Sequence, residues 1–362
     1  VSSSDLPLRH QSPLIFSGNN YLGLANHPEI VEKVASELHL YGNSFSASRK
    51  TTGTHEIHLQ LEHLLSTFKQ SEQSIVFATG YLGNSLLVRA LRKGNTIVLA
   101  DAQSHPSIVD SIPKDEVEVE LYAHRDPGHL EELLKKHPSK DLLIMTDGVF
   151  ALTGEIASLD ELYELAMKYE AALIVDDAHA TGILGENGRG TPEHFNLPGS
   201  KHIYQSETMS KALGSYGGFI ASEVKLIEKI QAESNFYIAS TALPPAIVLA
   251  SLFSLQYLMQ HPELRVQLLG NARKIREGVS SLGFETTPDL TPIIPLFFKE
   301  VKQAEQLSQY LKEAGFVVPA IKYPIQMEKS IVRITTNALH TSDEIEQLLF
   351  TLKKWTNEHP AH

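Results

Sequence analysis

Between residues 74 and 222 the chain repeats one rhythm: a short apolar run, a polar break, then a stretch with helical period. The apolar runs lie at 74–79 (SIVFAT), 96–101 (TIVLAD), 117–124 (VEVELYAH), 142–147 (LLIMTD), 171–176 (AALIVD), 202–207 (HIYQSE) and 217–222 (GGFIAS). Several are continuously apolar rather than alternating, as strands covered on both faces are. Segments such as 158–170 (SLDELYELAMKYE) separate most of them. Strands alternating with helices predict an α/β fold with a mainly parallel seven-stranded sheet and helices on both sides.

The pattern changes after Pro244-Pro245. A long helical stretch is expected over 246–281, broken near His261-Pro262, where proline removes an N–H donor. IIPLFFK (293–299), a helix over 301–314, FVVPAI (316–321), IVRITT (331–336) and an amphipathic helix over 342–356 follow. They predict a smaller α+β domain. The expected division is an N-terminal segment 1–40 with one helix from Pro28 to Leu40, a large α/β domain 41–245, and a C-terminal α+β domain 246–362.

Composition narrows the function. The 362 residues carry 31 basic against 43 acidic side chains, a net charge of -12, with no basic block, which argues against nucleic-acid binding. The absence of cysteine removes disulfides, thiolate metal sites and cysteine nucleophiles, and fits a reducing, cytoplasmic location. The longest apolar stretch, Ala246 to Met259, has 14 residues and includes Ser251, Ser254 and Gln256. A membrane span needs about 20 apolar residues, so a buried helix is expected there instead. The chain begins at Val1 rather than Met, which is consistent with a targeting segment removed before it.

In an open α/β sheet ligands bind beyond the carboxyl ends of the strands. Polar residues at those ends are Thr79-Gly80, Asp101 with His105, Asp147, Asp176 with His179, and Thr208 with Lys211. Taken alone, each has an ordinary explanation: a capping Asp, a satisfied His, a solvated Lys. Together they suggest a site. The carboxylate that ends IVD (174–176), Asp176, can hold a protonated ring nitrogen, turning a cofactor pyridine into an electron sink. SETMSKALGSYGGF (206–219) places Lys211 among hydroxyls and glycines that suit a phosphate, where a desolvated amine can form a Schiff base. Thr79-Gly80-Tyr81 at a strand-to-helix junction offers a helix N-terminus. HEIH (55–58) spaces its histidines by three, not the four a zinc-binding helix face requires, and no metal is expected. GENGRG (185–190) lacks dinucleotide spacing, and no GxSxG elbow supplies a hydrolase serine.

Asp176, His179 and Lys211, with Arg333 in the smaller domain, resemble the site of a fold-type I pyridoxal-phosphate transferase. More narrowly, the chain resembles the α-oxoamine synthase family along nearly its whole length. The matching segments are NNYLGLANHP (19–28), SRKTTGTHEIHLQLE (48–62), SHPSIVDS (104–111), TDGVFALTGEIASL (146–159), VDDAHATGILGENGRGTPEHF (175–195), SKALGSYGGF (210–219), STALPP (240–245) and VRITTNALH (332–340). SRKTTGT, VDDAHATG, GRGTPEHF, TPIIP (291–295) and VPAI (318–321) are most similar to the biotin-pathway members, which use L-alanine and a pimeloyl thioester. The chain departs from those at 322–327, KYPIQM in place of RPPTVP, and at Ala151, where a serine is usual. The segment before Phe16 is also short, so its acyl-recognition residues find no match.

The resemblance implies decarboxylative condensation of an amino acid with an acyl-CoA or acyl carrier protein, with pyridoxal 5'-phosphate as cofactor. It assigns Lys211 to the cofactor aldehyde and to the Cα proton, Asp176 to the ring nitrogen, His179 to the phenolic oxygen and His105 to the ring face. Gly80, Tyr81 and Thr208 fall to the phosphate, and Asn19 and Arg333 to the substrate carboxylate. Thr241 is assigned to the phosphate of a neighbouring subunit, which implies a homodimer with shared active sites. The alternatives are sibling synthases: serine palmitoyltransferase, 2-amino-3-ketobutyrate ligase, 5-aminolevulinate synthase or autoinducer synthase. A non-catalytic subunit of the same fold would usually lack the lysine, which is present here. Another type I enzyme such as an aminotransferase is the remaining possibility.

Overall fold

A computed structural model describes residues 13–113, 117–197, 202–321 and 329–359. They form two compact units. The larger comprises Asn19–Ala151 and Glu155–Gln267; the described part of the smaller comprises 13–18, 152–154, 268–321 and 329–359.

The larger unit is built on seven strands: β1 (Gln73–Phe77), β2 (Thr96–Asp101), β3 (Glu118–Tyr122), β4 (Asp141–Asp147), β5 (Ala172–Asp176), β6 (Ile203–Thr208) and β7 (Gly218–Ser222). Their order is β1-β7-β6-β5-β4-β2-β3, parallel except that β7 runs against both neighbours. The continuous apolar runs split by alternation onto two faces. Val98, Ala100, Leu143, Met145 and Ile174 join one core cluster, whereas Ile97, Leu99, Leu142, Ile144, Leu173 and Val175 join the other. Helices Tyr81–Leu91 and Val224–Glu233 cover the first face, and Pro127–Lys136 and Leu159–Lys168 the second.

The division between the two compact units lies at Gln267. The helix Pro245–Gln260 buries Val248, Leu249, Ser251, Leu252, Leu255 and Leu258 and packs on helices Pro28–Tyr41 and Glu56–Lys69. A helix apolar nearly all round must be enclosed, and these two neighbours enclose it. The break at His261-Pro262 is observed, with the next helix starting at Glu263. Residues 19–40 belong to the larger unit, while Leu14–Ile15 pair in parallel with Phe316–Val317 of the smaller.

The smaller unit holds an antiparallel sheet of Ala320–Ile321, Ser330–Thr335 and Ile293–Phe298, in that order. Helices Val301–Glu313 and Ser342–Glu358 help enclose a core around Phe284, Phe298 and Trp355. His340 stacks on Phe16 at 3.9 Å and meets the carbonyl of Ile15 through Nε2 at 3.1 Å, tying residues 14–16 into this unit. Among the described residues no helix is long and apolar enough to cross a membrane.

Candidate active site

Parallel β2, β4, β5 and β6 end on one edge of the sheet, so Asp101, Asp147, Asp176 and Thr208 are brought there together. Asp147 and Asp176 stand side by side in register. Asp147 Oδ2 accepts the backbone N–H of His105 at 2.8 Å. Burial, then the neighbouring Asp176, pushes the Asp147 carboxyl well above the usual range. Asp176 is the better supplied acid. Its Oδ2 accepts from Asn84 Nδ2 at 2.7 Å and faces Ser107 Oγ at 3.2 Å, while Oδ1 accepts the N–H of Ala178 at 3.2 Å. Converging donors are the surroundings of a carboxylate rather than a carboxylic acid.

His105 caps the short helix Pro106–Ser111, its Nδ1 accepting the N–H of Ser107 at 3.2 Å. Its pKa is lowered, first by burial and also by the Lys211 ammonium, with Asp176 opposing. Lys211 acts in the same way on Asp147, which places its charge among these three groups. The lysine follows β6, whose last residues are anchored from the opposite face. Glu207 forms a buried ion pair with Lys69 at 2.6 Å, and burial raises its carboxyl to about 7 against the pull of that lysine.

Thr208 packs against the start of the helix Tyr81–Leu91. A Cβ on Gly80 would lie 2.8 Å from Thr208 Cβ and Oγ1, so only glycine permits this approach. Thr208 Oγ1 is 3.1 Å from Ser210 Oγ and 3.0 Å from the carbonyl of Gly217. Tyr81 is exposed; its hydroxyl bonds Asp110, and its ring lies edge-on to His105 at 6.2 Å.

His179 lies in the turn after β5. Its Nδ1 is 2.7 Å from the hydroxyl of Tyr21, which also reaches Asn19 Oδ1 at 3.2 Å. The adjacent Asp177 faces away and holds the 175–195 segment together. It accepts from Thr191 N at 2.8 Å, Thr191 Oγ1 and Gln205 Nε2 at 2.7 Å.

Of the residues singled out from sequence, Gly80, Tyr81, His105, Asp176, Thr208 and Lys211 are thus brought to one edge of the sheet, and Asn19 is linked to His179. Arg333 lies on the strand Ser330–Thr335 of the smaller unit, its N–H donated to Pro319. Thr241 is exposed in an extended loop, bridged to Ser48. The divergent loop 322–327 lies outside the described residues. Sequence reasoning missed Asn84, Ser107 and Tyr21. All three lie inside or beside recognised motifs, but only the fold brings them to Asp176, His105 and His179. Among the described residues no group of three or more acidic or histidine side chains is placed to hold a metal.

This donor set suits a phosphorylated pyridine aldehyde: an amine for the aldehyde, a buried carboxylate for a ring nitrogen, an imidazole beside both, and a glycine–hydroxyl cradle at a helix start.

Comparison with known proteins agrees. The profile of the family Aminotransferase class I and II matches residues 12–352. The 8-amino-7-oxononanoate synthase of Bacillus pumilus is 36% identical over 354 residues, covering 97% of this chain and 90% of that protein. That of Thermoanaerobacter pseudethanolicus is 38% identical over 341 residues, with coverage of 93% and 86%. Serine palmitoyltransferase from S. paucimobilis with bound PLP-myriocin aldimine superimposes with a TM-score of 0.91 at 28% identity, covering 96% of this chain and 88% of the other. The 8-amino-7-oxononanoate synthase of Francisella tularensis gives 0.83 at 26% identity, covering 97% and 99%.

Proposed function

The chain belongs to the Aminotransferase class I and II family, and from that premise we propose that it catalyses the 8-amino-7-oxononanoate synthase reaction of biotin biosynthesis. L-alanine and a pimeloyl thioester, carried on coenzyme A or a carrier protein, give the amino ketone, carbon dioxide and the free thiol. The observation that carries the reading is the meeting of Asp176, His105 and Lys211 at the carboxyl edge of the sheet. The cofactor is pyridoxal 5'-phosphate.

When bound, that cofactor supplies an aldehyde for the amine and a ring that withdraws electrons from the substrate Cα. The chain's own groups do the rest. Asp176 would offer its carboxylate to the ring nitrogen, and His105 would hold the ring face. Thr208, with the backbone at Gly80 and Tyr81, would bind the phosphate. Lys211 would hold the aldehyde and would move the proton at the substrate Cα. His179, braced by Tyr21, is assigned to the phenolic oxygen. Asn19 and the planar fork of Arg333 are assigned to the substrate carboxylate.

Among solved structures serine palmitoyltransferase gives the higher TM-score at 28% identity against 26% for the Francisella tularensis synthase, while curated relatives at 36–38% identity are 8-amino-7-oxononanoate synthases. A backbone likeness reports the fold, whereas side chains select the substrate. Exposed Thr241 supports a homodimer in which that residue serves the partner's phosphate. A cytoplasmic location is proposed on the absence of cysteine.

Thiol release from pimeloyl-CoA tests the assignment. The enzyme with pyridoxal phosphate is expected to release thiol with L-alanine and not with glycine or L-serine, and Lys211→Ala is expected to abolish it. Release with serine and a long-chain thioester instead would move the enzyme to the serine-using branch. Undiminished turnover in Lys211→Ala would overturn the mechanism.

A further inference from the structure

Ser107 and Asn84 have no part in the roles assigned above, yet both are buried against residues that do. Ser107 is 2% exposed and Asn84 fully buried. Ser107 Oγ lies 2.8 Å from His105 Nδ1, 3.2 Å from Asp176 Oδ2 and 3.2 Å from Asn84 Nδ2. The Ser107 N–H also points at His105 Nδ1, at 3.2 Å. A ring nitrogen that receives a backbone N–H carries no proton of its own, so His105 is held with its proton on Nε2. The hydroxyl of Ser107 has one proton to give and lone pairs that accept from Asn84. That proton serves Asp176 Oδ2 or His105 Nδ1 but not both at once; with the Ser107 N–H already on Nδ1, residue 107 joins the imidazole through its N–H and the carboxylate through its hydroxyl.

Asn84 explains why that oxygen stays in place. Its two amide hydrogens go to Asp176 Oδ2 and Ser107 Oγ, at 2.7 and 3.2 Å. Turning the amide over would set its oxygen against a carboxylate oxygen, so the orientation is fixed. The other end gains nothing: Oδ1 is buried with no hydrogen-bond partner among the described residues. An orphaned buried carbonyl costs stability, and an apolar residue of the same shape would avoid that cost. Asparagine here serves the carboxylate rather than the core.

We propose that Asn84 and Ser107 are positioning residues that fix Asp176 from behind and lock His105 to the same carboxylate, so that the acid and the imidazole form one preorganised unit. The proposal rests on pyridoxal phosphate binding at this site. Neither residue touches the reacting atoms. Their effect passes through Asp176 and His105, and it should be visible in how the cofactor is held before any substrate arrives.

The test uses Asn84→Leu, which keeps the volume and removes both donors, and Ser107→Ala, which removes one oxygen. Apoprotein is titrated with pyridoxal phosphate, the bound cofactor's visible absorbance is followed against pH, and thermal unfolding of the apoprotein is recorded. Cofactor affinity is expected to fall about 10- to 100-fold in Asn84→Leu and about 10-fold in Ser107→Ala. Both variants should shift the pH dependence of the absorbance, with apoprotein melting unchanged, or raised in Asn84→Leu. Wild-type affinity and an unmoved pH curve in both variants would overturn the proposal and leave the functional reading intact. A loss of affinity matched by a loss of apoprotein stability, with the pH curve unmoved, would overturn it too, in favour of a packing role. Should Asn84→Leu not fold, Ser107→Ala decides alone. Failure of the wild-type protein to take up pyridoxal phosphate would instead remove the functional reading, and the proposal with it.

Discussion

His58 is fully buried on the helix Glu56–Lys69, its Nε2 3.1 Å from the carbonyl of Leu243 and its Nδ1 accepting the N–H of His55 at 3.2 Å. Both ring nitrogens are satisfied in the neutral form. Burial, and then the charge of Arg49, depresses the pKa to about 4. His124 is the opposite case. Burial lowers it, but hydrogen bonds to Asp101 at 2.8 Å and Glu155 at 3.3 Å outweigh that and hold the imidazolium up to about 9. The signs follow from linkage. A depressed imidazole contributes its full stability above the ordinary value of about 6.5 and loses it as the pH falls from there through 4. A raised one contributes fully below about 6.5 and loses it as the pH rises through 9. Urea unfolding of the apoprotein should therefore show greatest stability near neutrality. His58→Gln is expected to flatten the acid limb and His124→Gln the alkaline limb; limbs unchanged by these substitutions would show that other groups set them.

At the scale of elements, SRKTTGTHEIHLQLE (48–62) shows a motif whose conspicuous cation is structural. The Arg49 fork grips Glu62 through two bonds of 2.9 and 2.8 Å, both side chains nearly enclosed. Glu62 Oε1 also accepts the N–H of Val76 in β1 at 3.1 Å. The pair thus pins the helix Glu56–Lys69 to the edge strand leading towards Gly80. Gly53 lets the loop close, since a Cβ there would lie 2.1 Å from the carbonyl of Ala47. Removing one partner of such a pair strands a buried charge, at about 3–5 kcal/mol. Arg49→Met should destabilise by that order, and the double variant Arg49→Met with Glu62→Met by clearly less, as chemical denaturation can measure. Equal losses would mean the bridge holds nothing beyond the packing of its stems. The strands themselves were legible because runs such as TIVLAD are short, continuously apolar and β-branched, as strands covered on both faces are. The packing of the helix after Pro244-Pro245 was not, because only the fold sets it against Pro28–Tyr41 and Glu56–Lys69. Asn84 and Ser107 were illegible for a related reason: nothing in the sequence says that positions 84, 107 and 176 meet.

At the scale of the whole molecule, a single chain accounts for the ring-binding groups of the proposed site, but it leaves Thr241 exposed in the loop bridged to Ser48. If Thr241 serves the phosphate of a second copy, a defect there and a defect at Lys211 fall in different sites when the two variants share a dimer. Thr241→Glu places a carboxylate where a phosphate oxygen would approach, and the exposed loop can accept it without repacking. Thr241→Glu and Lys211→Ala should each lose activity as homodimers. Unfolded together and refolded at equal amounts, they should recover activity that neither has alone, up to about a quarter of the wild-type sites by random pairing. The reason is that a mixed dimer carries both defects in one site and none in the other. No recovery, with mixed dimers verified by a size tag, would mean that every group of the site comes from one chain. The loop would then be a surface feature, and the dimer, if formed, would be dispensable for the chemistry.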